Sequence, residues 1–256
     1  MHYLEKYHFW LENENFSDEA KEELRALEGN EEEIKDRFYK NLEFGTGGLR
    51  GKIGMGTNRM NIYTVSKATQ CLADYLIEKA REQKDSQQYL NRGVVIAYDC
   101  RHKSREFSET IALVLNANNI KTYLFEDVRP TPELSFAVRY LNAAAGIVVT
   151  ASHNPPSDNA VKAYWSTGGQ LLPPHDRGVI DRVMSVDRID RVPFAEGLAS
   201  GRIVYCQDEV DAAFLKAVCA QSRPGPRNLK IIYSPLHGVG TSAVCSALQT
   251  AGFEDV

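Results

Sequence analysis

Between residues 93 and 149 the chain alternates short β-branched runs with amphipathic stretches, and few folds tolerate that rhythm. Residues 93–98, 121–125 and 146–149 are apolar runs of strand length, and residues 104–116 and 131–140 carry the longer helical period. A strand that returns parallel to its predecessor needs a crossover of about a dozen residues, and both helical stretches supply one. The spacing predicts an α/β fold with a mixed, largely parallel sheet covered by helices.

The flanks read less uniformly. Residues 4–40 form two or three amphipathic helices, with Asn30 before Glu31-Glu32-Glu33 as one helix start. Residues 44–56 are glycine-rich and read as a loop. Residues 64–81 form a helix with Val65, Ala68, Leu72, Tyr75 and Leu76 on one face, and residues 82–91 a polar connector. A strand at 161–165, a helix at 176–185, an irregular stretch at 187–205 and a helix at 208–220 follow. Residues 222–227 read as a linker or wide turn. Residues 229–233 then open a fresh strand, followed by a helix to about 250. The domains expected are a helical leader (1–43), an α/β domain (44–205) and the first β-α unit of a second, similar domain (206–256). A lone β-α unit cannot bury both faces of a sheet, so the chain is expected to be the front part of a longer protein.

Charge and cysteine content narrow the function classes. The net charge is -4, and residues 1–45 hold 13 acidic against 6 basic residues, while the remainder holds 21 against 24. The acidity belongs to a solvated leader. The overall balance argues against nucleic acid as a partner, and the mildly basic remainder suits a small anion. Cys71, Cys100, Cys206, Cys219 and Cys245 are odd in number and form no C-x-x-C pair, which fits reduced thiols. No leader of the secretory type and no apolar run of about 20 residues is present, so no membrane is expected and a cytoplasmic setting is. Oligomeric state has no signature.

Four clusters carry candidate chemistry. Thr150-Ala151-Ser152-His153-Asn154-Pro155 follows the predicted strand at 146–149, with a proline-stiffened turn behind it. Ligands bind at such strand ends in open α/β sheets. Phe44-Gly45-Thr46-Gly47-Gly48-Leu49-Arg50-Gly51 suits either a structural loop or an anion cradle, with Arg50 as a bidentate fork. It is neither a Walker loop nor a G-x-G-x-x-G fingerprint. Tyr98-Asp99-Cys100-Arg101 sits past the first strand at the same sheet edge, where Asp99 and Arg101 form either a local ion pair or part of a site. Lys162 lies ten residues after Ser152 and is either an ordinary exposed lysine or a charge clamp.

Taken with Pro130-Thr131-Pro132, Asp158-Asn159 and Ser234-Pro235-Leu236-His237-Gly238, these clusters resemble the alpha-D-phosphohexomutase superfamily of phosphoglucomutases, phosphomannomutases and phosphopentomutases. The leader and the 234–240 segment look most like the phosphoglucomutase 2/phosphopentomutase branch. The resemblance implies a phosphosugar mutase in which Ser152 carries the phosphoryl group, passing it to a sugar monophosphate and taking it back from a sugar bisphosphate. It implies that Arg50 and Lys162 flank that group as clamp and acid/base partners. His153 would help set the site. Thr46, Gly47, Arg101 and His237 would serve the substrate, with Arg101 also supporting the loop. It implies Mg2+ on a phosphoserine oxygen and on three aspartates of an Asp-Gly-Asp-x-Asp-Arg loop that this sequence lacks, and a sugar 1,6-bisphosphate activator. The sugar-recognition motif Gly-Glu-x-Ser-Gly is lacking too, so residues 1–256 are expected to be inactive as a mutase. Ala160 stands where the family has glycine, which predicts a tilted loop before Lys162.

Two other classes share part of this pattern. A non-catalytic sugar-phosphate-binding or interaction protein would share the same clusters. A serine hydrolase using Ser152 and His153 is disfavoured, because there is no G-x-S-x-G elbow and the side chains of adjacent residues diverge.

Overall fold

The computed structural model of the chain describes residues 2–45, 47–182, 186 and 188–256. Three leader helices come first: α1 (Tyr3–Glu12), α2 (Asp18–Arg25) and α3 (Glu31–Phe38). Ser17 and Asn30 cap α2 and α3 through their side-chain oxygens. The leader buries its own cluster of Tyr7, Trp10, Leu24, Ile34 and Phe38.

The glycine-rich stretch is not the loop the composition predicts. It forms a hairpin of β1 (Phe44–Gly45) and β2 (Gly48–Lys52). Glycine content disfavours a strand, but here close packing between strands requires it. A Cβ on Gly48 would lie 2.2 Å from the Val161 carbonyl oxygen. The long helix α4 (Ile62–Arg81) is capped by Asn61, which accepts from the Tyr63 and Thr64 N–H groups. The 82–91 connector contains a short helix, α5 (Ser86–Asn91), capped by Asp85.

The predicted alternation then appears as β3 (Val94–Tyr98), α6 (Ser104–Ala117), β4 (Thr122–Leu124), α7 (Thr131–Tyr140) and β5 (Ala145–Val149). β6 (Asp158–Trp165) begins three residues earlier than its apolar run, because Asp158 and Asn159 pair with Lys52 and Gly51 of β2. The helix expected at 176–185 is α8 (His175–Ile180), and residues 183–185 lie outside the described residues. The stretch read as irregular holds α9 (Phe194–Ala199) and β7 (Ile203–Tyr205), which pairs with β4. α10 (Gln207–Cys219) follows, and α11 (Val244–Thr250) lies near the end.

The sheet order is β1-β2-β6-β5-β3-β4-β7. β5, β3, β4 and β7 run parallel, while β6, β2 and β1 attach antiparallel. The β3 side chains alternate between two cores. Val94, Ile96 and Tyr98 face α4 and α6, while Val95 and Ala97 face α7 and α10. Burial on both faces explains why β3 reads as an unbroken apolar run. α10 docks on α7 through Val210, a Phe136–Phe214 ring contact and the Arg129–Asp211 ion pair.

The strand expected at 229–233 is absent among the described residues. Ile232 is 93% exposed and Leu229 59%. A strand needs a partner to close its ladder, and the backbone contact recorded there is from the Ile231 N–H to the Asp255 carbonyl, 2.8 Å.

Candidate active site

β4 and β5 flank β3 on opposite sides, with α6 and α7 on opposite faces of the sheet. The chain therefore reverses its winding between β3 and β5, which opens a crevice at their carboxyl ends. The loops after these two strands, 99–103 and 150–157, meet there. Ser152 is in the left-handed region at φ 57°, a conformation that costs a non-glycine residue roughly 1–2 kcal/mol. Its N–H donates to Thr150 Oγ1 at 3.0 Å, which fixes the turn. The strained turn leaves Ser152 and His153 exposed at the mouth of the crevice.

Arg101 holds the loop in this shape. Its Nη1 donates to the carbonyls of Pro155 (2.9 Å) and Asp158 (3.0 Å), and its Nη2 to those of Ser152 (2.8 Å) and Asn154 (2.5 Å). Its Nε lies 3.6 Å from Asp99 Oδ2. Asp99 Oδ1 in turn accepts from the Arg101 N–H and from Ser104 Oγ. Asn159 Nδ2 ties the two loops by donating to the His102 carbonyl and to Ser104 Oγ, both at 3.0 Å. The open choice at Asp99 and Arg101 resolves into both readings: an ion pair whose guanidinium is the brace of the serine loop. Four carbonyls occupy the fork that the substrate-binding expectation left free for a ligand.

Ser152, His153, Arg101 and Cys100 line a cavity of about 900 Å³, closed on the far side by Leu236, His237 and Gly238. Cys100 Sγ donates to the His237 carbonyl at 3.1 Å, so this contact joins the β3 loop to the 234–238 segment. Ser152 Oγ and His153 Nδ1 are 3.4 Å apart, long for a hydrogen bond between hydroxyl and imidazole.

The other expected site residues gather next door. Gly47, Arg50 and Lys162 line a second cavity of about 480 Å³, with Lys40 and Gln170. In the β2–β6 ladder Arg50 pairs with Ala160 and Gly48 with Lys162. Arg50 and Lys162 therefore project from the same sheet face as diagonal neighbours. Ala160 sits in this regular register, 1% exposed and without positive φ, so the tilt predicted before Lys162 does not occur. The link between the cavities is Asn154, whose Oδ1 accepts from Arg50 Nη1 at 3.5 Å and whose Nδ2 donates to Asp158 Oδ2 at 3.0 Å. Thr46 lies outside the described residues. Asn154 lies within the Ser152-His153 motif, but the sequence assigns it no role. Lys40 and Gln170 had no sequence signal, because leader and sheet meet only in three dimensions.

Among the described residues no three His, Cys, Asp or Glu side chains come together to hold a metal. Mg2+ needs about six oxygen ligands, and the two carboxylates beside the serine loop are already engaged, Asp99 by Arg101 and Ser104 and Asp158 by Asn154 and Ser157. The described residues do not fit a Mg2+ site. Among the described residues no helix is long and apolar enough to cross a membrane.

The model of the phosphoglucomutase/phosphomannomutase family, alpha/beta/alpha domain I, matches residues 41–189. A phosphopentomutase of Homo sapiens is 34% identical over 239 residues, covering 87% of this chain and 37% of its own. A phosphoglucomutase of Staphylococcus aureus is 37% identical over 225 residues, covering 86% of this chain and 39% of its own. The chain thus spans well under half the length of these curated relatives. The crystal structure of a phosphoglucomutase/phosphomannomutase family protein from Burkholderia thailandensis shares the fold, with a TM-score of 0.60 at 21% identity over 83% of this chain and 44% of that one. A match across more than half the residues, over the same strands that build the serine crevice, places this chain in the phosphoglucomutase/phosphomannomutase family.

Proposed function

We propose that this chain supplies the phosphoserine-bearing part of a phosphosugar mutase. The observation that carries the reading is the strained, four-point-braced Ser152 at the switch point of the sheet. Transfer of a phosphoryl group is chiefly a matter of positioning and charge neutralisation, and a fixed hydroxyl in an open cavity beside cations suits it. A hydroxyl of a sugar monophosphate attacks the phosphorus on Ser152, the bond from phosphorus to Ser152 Oγ breaks, and the hydroxyl proton passes to a base. Ser152 Oγ leaves with a proton from the acid partner. In the return step it gives that proton up as it attacks the other phosphorus of the bisphosphate, the bond from that phosphorus to the sugar oxygen breaks, and the sugar oxygen takes a proton.

Arg50 and Lys162 serve as the cations toward the transferring group, and Lys162 and His153 as the proton carriers. Arg101 acts as a positioning residue. Gly47 and Thr46 approach the ligand from the hairpin, and His237 from the segment across the cavity. The chain divides into the leader (1–43), the serine-bearing domain (44–205) and the start of a second domain (206–256), with α10 as the connecting helix. The five free thiols support a cytoplasmic setting.

The test is intact mass after incubation with a hexose 1,6-bisphosphate. One phosphoryl group on Ser152, absent from Ser152→Ala, is the expected result. Modification at another residue, or none, contradicts the reading and favours a non-catalytic sugar-phosphate binder. Residues 1–256 alone are expected not to convert glucose 1-phosphate to glucose 6-phosphate, and measurable turnover in a coupled assay would refute that.

A further inference from the structure

Away from the serine crevice, a cavity of about 200 Å³ lies where the leader meets the back of the β1–β2 hairpin. Its walls are Trp10 and Phe16 from the leader, Phe44 and Leu49 from the hairpin, and Tyr63 from α4. Trp10 stacks on Phe16 at 4.1 Å and 20°, and meets Tyr63 edge-on at 5.4 Å. These contacts, with the Phe16–Tyr63 edge contact at 4.8 Å, hold the three rings as one packed aromatic wall of the cavity. Lys67 is the one charged residue among the described lining residues, and no ion pair holds it.

The remaining polar groups are sorted by what they already bond. The Thr57 hydroxyl donates to the Lys40 carbonyl and the Thr64 hydroxyl to the Arg59 carbonyl. Asn41 Oδ1 accepts from Lys6 Nζ at 3.4 Å, and Tyr63 Oη accepts from the Ser17 N–H at 2.8 Å. Among the described residues, the Lys67 ammonium, the Asn41 amide N–H groups and the Tyr63 O–H are lining donors without an acceptor. An apolar void of about 150 Å³ takes up benzene, so this one has room for a ring and a short polar arm. A half-buried ammonium without an ion-pair partner, beside aromatic walls, favours an anion on that arm.

We propose that this cavity is a binding site for a small aryl carboxylate, with its ring against the packed Trp10–Phe16–Tyr63 cluster and the Phe44 and Leu49 side chains, and its carboxylate on Lys67 and Asn41. The site is separate from the serine crevice, and Phe44 and Leu49 make its floor the reverse side of the hairpin that presents Arg50.

Trp10 in the wall supplies the readout. Trp165, the other tryptophan, is replaced by Phe in the test protein, and circular dichroism checks that each variant is folded. Titration with phenylacetate is expected to give a saturable change in Trp10 emission. Binding is expected to weaken at least tenfold in Lys67→Met and for uncharged benzyl alcohol, and to persist in Lys67→Arg. A phenylacetate titration without saturation overturns the proposal. So does benzyl alcohol binding as tightly as phenylacetate, or Lys67→Met binding as tightly as the parent.

Discussion

Replacing Arg101 with alanine should release the serine loop while leaving the sheet intact. The guanidinium makes four hydrogen bonds to carbonyls of Ser152, Asn154, Pro155 and Asp158, and its side chain is 13% exposed. A hydrogen bond to a charged group contributes about 1.5–3 kcal/mol when buried. Ser152 and Pro155 are exposed and their carbonyls rehydrate once the loop opens, so well under half of the gross figure survives. The expected loss is about 3 kcal/mol of local stability, or on the order of 100-fold in the opening equilibrium. Amide hydrogen exchange reads it directly at two bonds inside the loop, from Asn154 N–H to the Ala151 carbonyl and from Asp158 N–H to the Pro155 carbonyl. Both should exchange about 100-fold faster in Arg101→Ala, with the β5 amides unchanged. Arg101→Lys should recover little, because one ammonium cannot span four carbonyls arranged around a planar fork. Equal exchange in Arg101→Ala and the parent, or full protection in Arg101→Lys, would refute the bracing argument.

Three further outcomes follow from particular contacts. Ser152→Gly relieves the φ of 57° and should raise stability to urea by about 1 kcal/mol while removing the phosphate acceptor; a loss of stability would show that Ser152 is not strained. Gly48→Ala places a Cβ 2.2 Å from the Val161 carbonyl and should cost about 1–3 kcal/mol in urea unfolding as β2 is pushed off β6; unchanged stability would mean the hairpin packs less closely than described. Glu133 is 1% exposed, and burial together with the neighbouring Asp211 pushes its carboxyl up to about 8 from 4.5. The folded state keeps that proton to higher pH than the unfolded state. Stability should therefore fall as pH rises from about 4.5 through 8, by about 2 kcal/mol between pH 6 and 8. Urea midpoints across that range should flatten in Glu133→Gln, and a flat profile in the parent would refute the assignment.

The legible parts of the chain were those whose periodicity matches their burial. β3 is buried on both faces and α6 on one, so their apolar patterns named them. The hairpin β1–β2 was hidden because glycine, a poor strand former, is demanded there by the approach of Val161. Residues 229–233 misled in the opposite direction: the run has strand composition, yet among the described residues no strand edge pairs with it. Ser152 and its loop were legible as a motif at a strand end, whereas the work of Arg101 on four carbonyls was not, since those carbonyls carry no side-chain signature.

The opening alternation of strand and helix was enough by itself to dictate an α/β sheet and to put the Asp99 and Ser152 loops at one edge, because parallel strands joined by helices place all their carboxyl ends together. Tertiary structure alone decided how the cations are shared out. Arg101 faces inward to the loop, while Arg50 and Lys162 sit in a neighbouring cavity joined to Ser152 through Asn154. That division depends on the antiparallel register of β2 on β6, in which a one-residue slip of β2 would put Arg50 and Lys162 on opposite faces of the sheet. A register is set by long-range pairing and close packing, and neither is written in the local order of residues.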